Sequence, residues 1–460
     1  MLSQDLRFRP SSPPYLGHVE PPPADSRSTA AELLQENHTK WHMHFREFGG
    51  HNHTAHSVLT TLALGGSPAD LRRAYADDAP QQRPIPAVDW ALVRDMEAGE
   101  EAFRTNMCRM ELYSTFLAFF DREIARQEGD WRAVVAKYCF SRTELAEIML
   151  AQLFEGLYHP FIHVALGVEF GLAGVVAEGL AHAASHPSGR LGDLYERADS
   201  LAAAERAEER EKTPLVELYH VVRASPALRT AIHPSDGPRW LENGVIGRAL
   251  EEMAQVAAQF RVEPTEDGVE RAMAEMISCA AWAAGAAESG FTGSRGTDRG
   301  RKMDFFGMHG VTSSLSVTAM IRQPWISIAD KARLVERKTR LDLACYIASG
   351  NPELRERNVV GYEPTLSKSI EDWGTLYAAV RGEHDDGHAA KFVRAIKNGE
   401  DVTAQFNQEP GVANLLPVRE GTWFRLAQLC YDTTATGRVE VAEKWVWGIG
   451  LDHRRQVIPV

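Results

Sequence analysis

The sequence predicts a mainly α protein: a large single-domain helical bundle with a His-rich metal centre and minor β structure near the C-terminus. Three observations carry that expectation. Apolar residues recur at helical spacing over most of the chain. Strand signals are sparse. Many of the 17 histidines fall in tight groups far apart in sequence, and only folding can bring such groups together. With 460 residues, 44% hydrophobic and 25% charged, the chain has an ordinary globular balance and can bury a large core.

Residues 1–27 read as a Pro-rich N-terminal arm, with Pro10, Pro13, Pro14, Pro21, Pro22 and Pro23 resisting helix. Residues 28–460 read as the helical domain. Ser28-Thr29-Ala30-Ala31-Glu32 resembles a capping start. Ser57 to Leu64 is apolar and stops at Gly65-Gly66, and Ser67-Pro68 opens the next helix as N-cap and first-turn proline. Glu100 to Gln127 reads as one long helix, as do Trp131 to Leu153, His159 to about Ser185, and Glu196 to Val222. Val269 to Ala287, Ala329 to Ala348, Thr365 to Val380 and Gly387 to Lys397 complete the helical set. The best strand is Arg438 to Ala442, pairing with Thr422-Trp423-Phe424 or Trp445-Val446-Trp447. Boundaries are expected in the loops near 78–88 and 288–302.

The composition excludes several classes. A formal net charge of −13 without any Lys/Arg-rich run disfavours nucleic acid. No stretch of about 18 apolar residues suggests a membrane span. Five scattered cysteines without a CxxC pair suit a reducing cytoplasm and give no zinc ribbon. No GxGxxG follows a strand, so a dinucleotide fold is not indicated. The Gly-rich stretch Gly290 to Gly296 follows no strand either, and reads as a plain loop.

Imidazole is the commonest metal ligand. His53 and His56 lie three apart, His159 and His163 four apart, His388 and Lys391 three apart, so each pair shares one helical face. His309 stands alone in Met303-Asp304-Phe305-Phe306-Gly307-Met308-His309. The expected metal ligands are His56, His159, His309 and His388, with His53 and His163 as alternatives on the same faces. Any one of these could instead cap a helix or fill a polar gap. The absence of neighbouring cysteine and of HExxH turns the expectation from zinc toward iron or copper. His384-x-Asp386 matches the HxD pair of a 2-His-1-carboxylate iron site and ranks second. Lys391 carries two readings: an ammonium that points into solvent or pairs with Asp385 or Asp386, or a neutral or carboxylated lysine whose carbamate oxygen joins the metal. Glu169 is a candidate to orient an imidazole, or an ordinary helix-surface acid. Trp41, Phe45, Phe48, Tyr158, Phe161, Phe305 and Phe306 could line a flat apolar pocket, and Arg394 could meet a phenolate or carboxylate.

In order and content these groups resemble the questin oxidase-like family. The matching stretches are Gly50-His51-Asn52-His53-Thr54-Ala55-His56 with Leu62-Ala63-Leu64-Gly65, Gly156-Leu157-Tyr158-His159-Pro160-Phe161-Ile162-His163 leading to Gly167-Val168-Glu169-Phe170, Asp304-Phe305-Phe306-Gly307-Met308-His309, and Gly387-His388-Ala389-Ala390-Lys391. The first two are long and specific, and the last two short. Further histidines, His38, His42, His44 and His384, depart from the pattern, and the C-terminal 60 residues carry no matching motif. The resemblance implies an oxygenase of aromatic polyketide pathways that opens the central ring of an anthraquinone or related polycycle, in a Baeyer–Villiger-like or dioxygenase outcome. The expected cofactor is non-haem Fe(II), with NADPH a candidate reductant and no flavin. The expected partners are a small aromatic polyketide and O₂, with no nucleic acid and no membrane; an oligomer is compatible. The rivals are a zinc hydrolase with a His and carbamylated-Lys site, and a non-catalytic helical binding protein.

Overall fold

The computed structural model describes residues 6, 8, 15–45, 50–208, 211–287, 291–292, 298–299, 302–435 and 444–451. They are mainly helical, as expected. Strands among them are two residues long: Phe291–Thr292 pairs antiparallel with Asp298–Arg299, and Met303–Asp304 pairs parallel with Trp445–Val446. The expected strand at Arg438 to Ala442 lies outside the described residues. Its proposed partner Trp423-Phe424 instead opens the helix Trp423–Thr434. No helix among the described residues is long and apolar enough to cross a membrane.

The chain divides into two compact units. The first comprises Met1–Tyr15, Pro21–Gly192 and Ala319–Ser327, and the second Leu16–Glu20, Asp193–Thr318 and Ile328–Val460. In the first unit, Ser26–Lys40 opens the helical run two residues before Ser28, whose hydroxyl donates to the Asp25 carbonyl at 2.9 Å. Thr54–Ala63 is buried along its whole length. Pro68–Asp78 starts at a full capping box, with the Ser67 side chain accepting from Asp70 N and the Asp70 carboxylate accepting from Ser67 N at 2.9 Å. The expected Glu100–Gln127 helix is two helices, Glu100–Asn106 and Tyr113–Arg126. Cys108 breaks it by adopting φ 62° and donating its N–H to Ala184 O at 2.8 Å. The expected Trp131–Leu153 helix breaks at Arg142, φ 64°, and resumes at Glu144 under a Thr143 cap. His159 to Ser185 is a hairpin, His159–Phe170 and Ala173–Ser185, turning at Gly171. Both arms are apolar nearly all round, the pattern of interior helices. Phe103, Phe116, Phe119, Phe120 and Tyr138 pack edge-on beside them, with Phe103 and Phe116 ring centroids 5.0 Å apart.

The stretch read as Glu196–Val222 is two helices, Leu191–Ala207, which belongs to the second unit from Asp193 on, and Leu215–Ala224, separated ahead of Pro214. Glu266–Ala286, Ile328–Ala348, His388–Thr403 and Trp423–Thr434 form its body, and Phe305–Ile321 begins in it. Trp373–Val380 starts later than Thr365 because Asp372 caps it, accepting from Thr375 N at 2.9 Å. Ile328–Ala348 is charged yet buried. Its charges are matched in place: Lys338 with Asp342, Arg340 with Asp199, and Glu336 with Arg206 at 2.6 Å.

Candidate metal centre

In the first unit, His53 is the N-cap of Thr54–Ala63 and His56 lies in its first turn. His159 is the first residue of its helix. Leu157 and Tyr158, ahead of it, both have positive φ, 57° and 66°, a conformation worth about 1–3 kcal/mol of strain per residue. That turn folds His159 back so that its Nδ1–H donates to Gly156 O at 2.5 Å. A carbonyl only accepts, so Nδ1 carries the proton and a neutral ring keeps its lone pair on Nε2. His159 Nε2 lies 2.9 Å from His53 Nε2. Two nitrogens bound at right angles to one ion, each about 2.1 Å away, lie about 3 Å apart. The pair therefore fits two neighbouring ligands of one metal.

His163 occupies a different place. Its Nδ1 lies 3.2 Å from His56 Nε2, and its Nε2–H donates to Glu178 Oε2 at 2.7 Å. Glu178 Oε1 accepts from His38 Nδ1–H at 2.8 Å, and His38 Nε2–H reaches Asp121 Oδ2 at 3.3 Å. All five residues are buried. Burial opposes a charge on Glu178, but His163 and His38 outweigh it and hold the carboxyl down at about 2. Burial likewise opposes an imidazolium at His38, but Asp121 and Glu178 raise it to about 10. Asp121, at the longer contact, is pushed up by burial that His38 only partly offsets. The charge pair at the centre of this chain is thus His38–Glu178. Glu178 thus fixes the His163 ring through Nε2, and the other nitrogen of that ring meets His56 Nε2.

Two glycines make that chain reachable. A Cβ on Gly167 would come within 2.6 Å of Val176 N, and one on Gly179 within 2.6 Å of Val164 N. The hairpin arms touch backbone to backbone there, which carries Glu178 to His163. Glu169, the acid proposed for this role, is half-buried near the end of its helix. Six residues on from His163, it sits about 240° around that helix.

In the second unit the same tautomer device recurs twice. His388 is the first residue of its helix, behind Asp386 and Gly387, both of positive φ, and its Nδ1–H donates to Asp385 O at 2.5 Å. His309 Nδ1–H donates to Phe305 O at 2.8 Å. The two rings lie 5.4 Å apart between centroids, both buried. Burial, assisted by Lys391, lowers His309 to about 3 and His388 well below the ordinary histidine value. With Nδ1 donating, a neutral ring at either position keeps its lone pair on Nε2, a buried atom in both. Lys391 is buried on the same helix as His388. Asp385 is buried, accepts from Trp445 Nε1 at 3.0 Å and Ala389 N at 2.9 Å, and is raised by burial to about 6. Phe305 stacks on Trp447 at 4.3 Å and meets His309 edge-on at 4.4 Å. A pocket lined by Phe306, Gly310, Tyr219 and Tyr346, with Asp304 and Asp342, opens beside the helix that carries His309.

Of the HxD pair, His384 is exposed, and Asp386 belongs to the left-handed turn before His388. Arg394 is buried against the arm, its Nε donating to Leu16 O at 3.1 Å, rather than offered to a ligand. Trp41, Phe45, Tyr158 and Phe161 belong to the first unit and Phe305 and Phe306 to the second; Phe48 lies outside the described residues.

A family model described as questin oxidase-like matches residues 50–396. The chain belongs to the questin oxidase-like family. Its relatives include a questin oxidase from Aspergillus fumigatus, 44% identical over 95% of this chain and 95% of the relative. Another is the Baeyer-Villiger oxidase ptaJ from Pestalotiopsis fici, 44% identical over 93% of this chain and 92% of the relative. A questin oxidase from Aspergillus terreus is 45% identical over 96% and 95%. This questin oxidase-like protein is therefore an oxidoreductase of the oxygenase kind, and neither a hydrolase nor a non-catalytic binder.

Proposed function

We propose that this oxygenase holds a non-haem iron and uses O₂ to cleave a C–C bond of an anthraquinone or related aromatic polyketide. The observation that carries the reading is the shared setting of His159, His309 and His388. Each has Nδ1–H tied to a backbone carbonyl, in a buried place, so each presents Nε2 as a fixed donor. In the first unit the donors are His53, His56 and His159, and in the second His309 and His388. All are imidazoles, a set suited to iron or copper as well as zinc. When bound, the metal would supply O₂ chemistry and polarise a substrate oxygen.

The chain's own residues do the rest. His163 and Glu178 fix the His56 ring, and His38 and Asp121 hold Glu178 in turn. Phe305 and Trp447 keep water from the His309–His388 side and offer a flat apolar face to an aromatic ring. Lys391 as an ammonium would oppose a cation by like charge. Reaction of its neutral amine with CO₂ would give a carbamate and release one proton, replacing that repulsion with an anionic oxygen. The relatives' names, questin oxidase and Baeyer-Villiger oxidase, support oxygen insertion next to a ring carbonyl. Inserting one oxygen atom from O₂ requires two electrons and two protons, with water as the second product, and NADPH could supply the electrons. A dioxygenase outcome places both atoms in the product and needs no reductant. Counting NADPH oxidised per product formed separates the two: one per turnover for the first, none for the second.

A further inference from the structure

The first unit contains a second set of histidines that the site above does not use. His44 and His51 face each other in an antiparallel bridge, and cross-strand partners of this kind project on one face. His182 lies in the last turn of Ala173–Ser185, and His186 caps that helix four residues on, on the same side. One nitrogen from each of His44, His51 and His182 lies within 4.8 Å of the others. His186 Nε2 lies 3.0 Å from His51 Nε2, and its Nδ1–H donates to Pro187 O at 2.8 Å, leaving the lone pair on Nε2. The exposures are 2% for His44, 5% for His51 and 1% for His182.

We propose that His44, His51 and His182, with His186 as the fourth, bind a second late first-row divalent ion of the zinc or copper class. The carrying observation is His182. Among the described residues, both its ring nitrogens are buried without a hydrogen-bond partner, and so is His44 Nε2. Buried polar nitrogens are normally satisfied, and the one that His182 brings to the cluster is orphaned whichever of the two it is, which calls for a ligand. Neutral imidazoles without a carboxylate suit zinc or copper rather than calcium or magnesium. His51 also stacks on His159 at 4.1 Å, so the two sets share a wall, and changes at His51 would disturb both.

The test uses the full chain, tag-free, stripped with chelator and dialysed against Zn²⁺ alone, with bound zinc counted by plasma mass spectrometry. His182→Gln and His44→Gln are each expected to bind one equivalent fewer than wild type, with unchanged far-UV circular dichroism. That difference holds whether or not the first set binds zinc, so the two readings fail separately. Equal zinc counts in wild type and both folded variants overturn the proposal. Should the variants not fold, anomalous scattering at the zinc edge from wild-type crystals decides. A peak among His44, His51 and His182 supports the site, and its absence at full zinc loading overturns it.

Discussion

His163 Nε2 and Glu178 Oε2 lie 2.7 Å apart between two interior helices that touch backbone to backbone at Gly167 and Gly179, both side chains fully enclosed. That single contact ties the packing of the hairpin to the orientation of His56. It also leaves Glu178 as the acid on which two imidazoles depend.

Removing the carboxylate should therefore cost stability as well as function. Glu178→Ala leaves His38 and His163 facing a gap, and breaking a buried charge pair costs about 3–5 kcal/mol. Urea unfolding at pH 7 should show a loss of that order. Glu178→Gln, which keeps the shape but not the charge, should lose less. A loss below about 1 kcal/mol for the alanine variant would mean the chain of contacts carries little of the fold.

The same pair sets an alkaline limit. His38 rises from 6.5 unfolded to about 10 folded, so its contribution is complete below pH 6.5 and is lost as pH climbs through about 10. The melting temperature should fall across that window, and His38→Gln should flatten the fall. Glu178 acts in the other direction: its contribution holds above pH 4.5 and is lost as pH drops toward about 2. An identical alkaline slope in wild type and His38→Gln would remove His38 as the cause.

Single substitutions of His56, His159, His309 and His388 by Ala should each strip most of the iron while leaving the helical signal intact. Iron per chain, by plasma mass spectrometry, gives the count. Full iron occupancy in three of the four would overturn the ligand assignment.

Lys391→Ala should lose iron and activity, and Lys391→Glu should recover part of the iron by restoring a carboxylate. A crystal structure would show extra density on Nζ for a carbamate. Retention of both iron and activity in Lys391→Ala would make the lysine an ordinary buried residue.

Much of the helical plan was legible from periodicity, and the Ser67-Pro68 start from its residue types alone. The interruptions were not, because they rest on backbone conformation: Cys108 and Arg142 take positive φ at residues that do not advertise it. The buried charged helix Ile328–Ala348 reads like a surface helix until its partners Asp199 and Arg206 are seen. The histidine groups stood out by count, which drew attention to His53, His56, His159 and His388, while His309 was picked out by its short motif. Glu178 did not stand out, since its link to His163 depends on a hairpin turn at Gly171 and two close glycine crossings. The signal was there in retrospect: a lone acid in the otherwise small and apolar run Ala173-Gly174-Val175-Val176-Ala177-Glu178-Gly179. His182 and His186 were hidden likewise, four apart in the same helix end.

The most direct test is turnover of an anthraquinone by the chelator-stripped chain, restored with Fe(II) under ¹⁸O₂, with the product read by mass spectrometry. Iron-dependent oxygenation predicts ¹⁸O in a ring-opened or ring-expanded product, and no turnover in the stripped chain or in the absence of O₂. Full turnover by the metal-free chain, or a product without ¹⁸O, would contradict it.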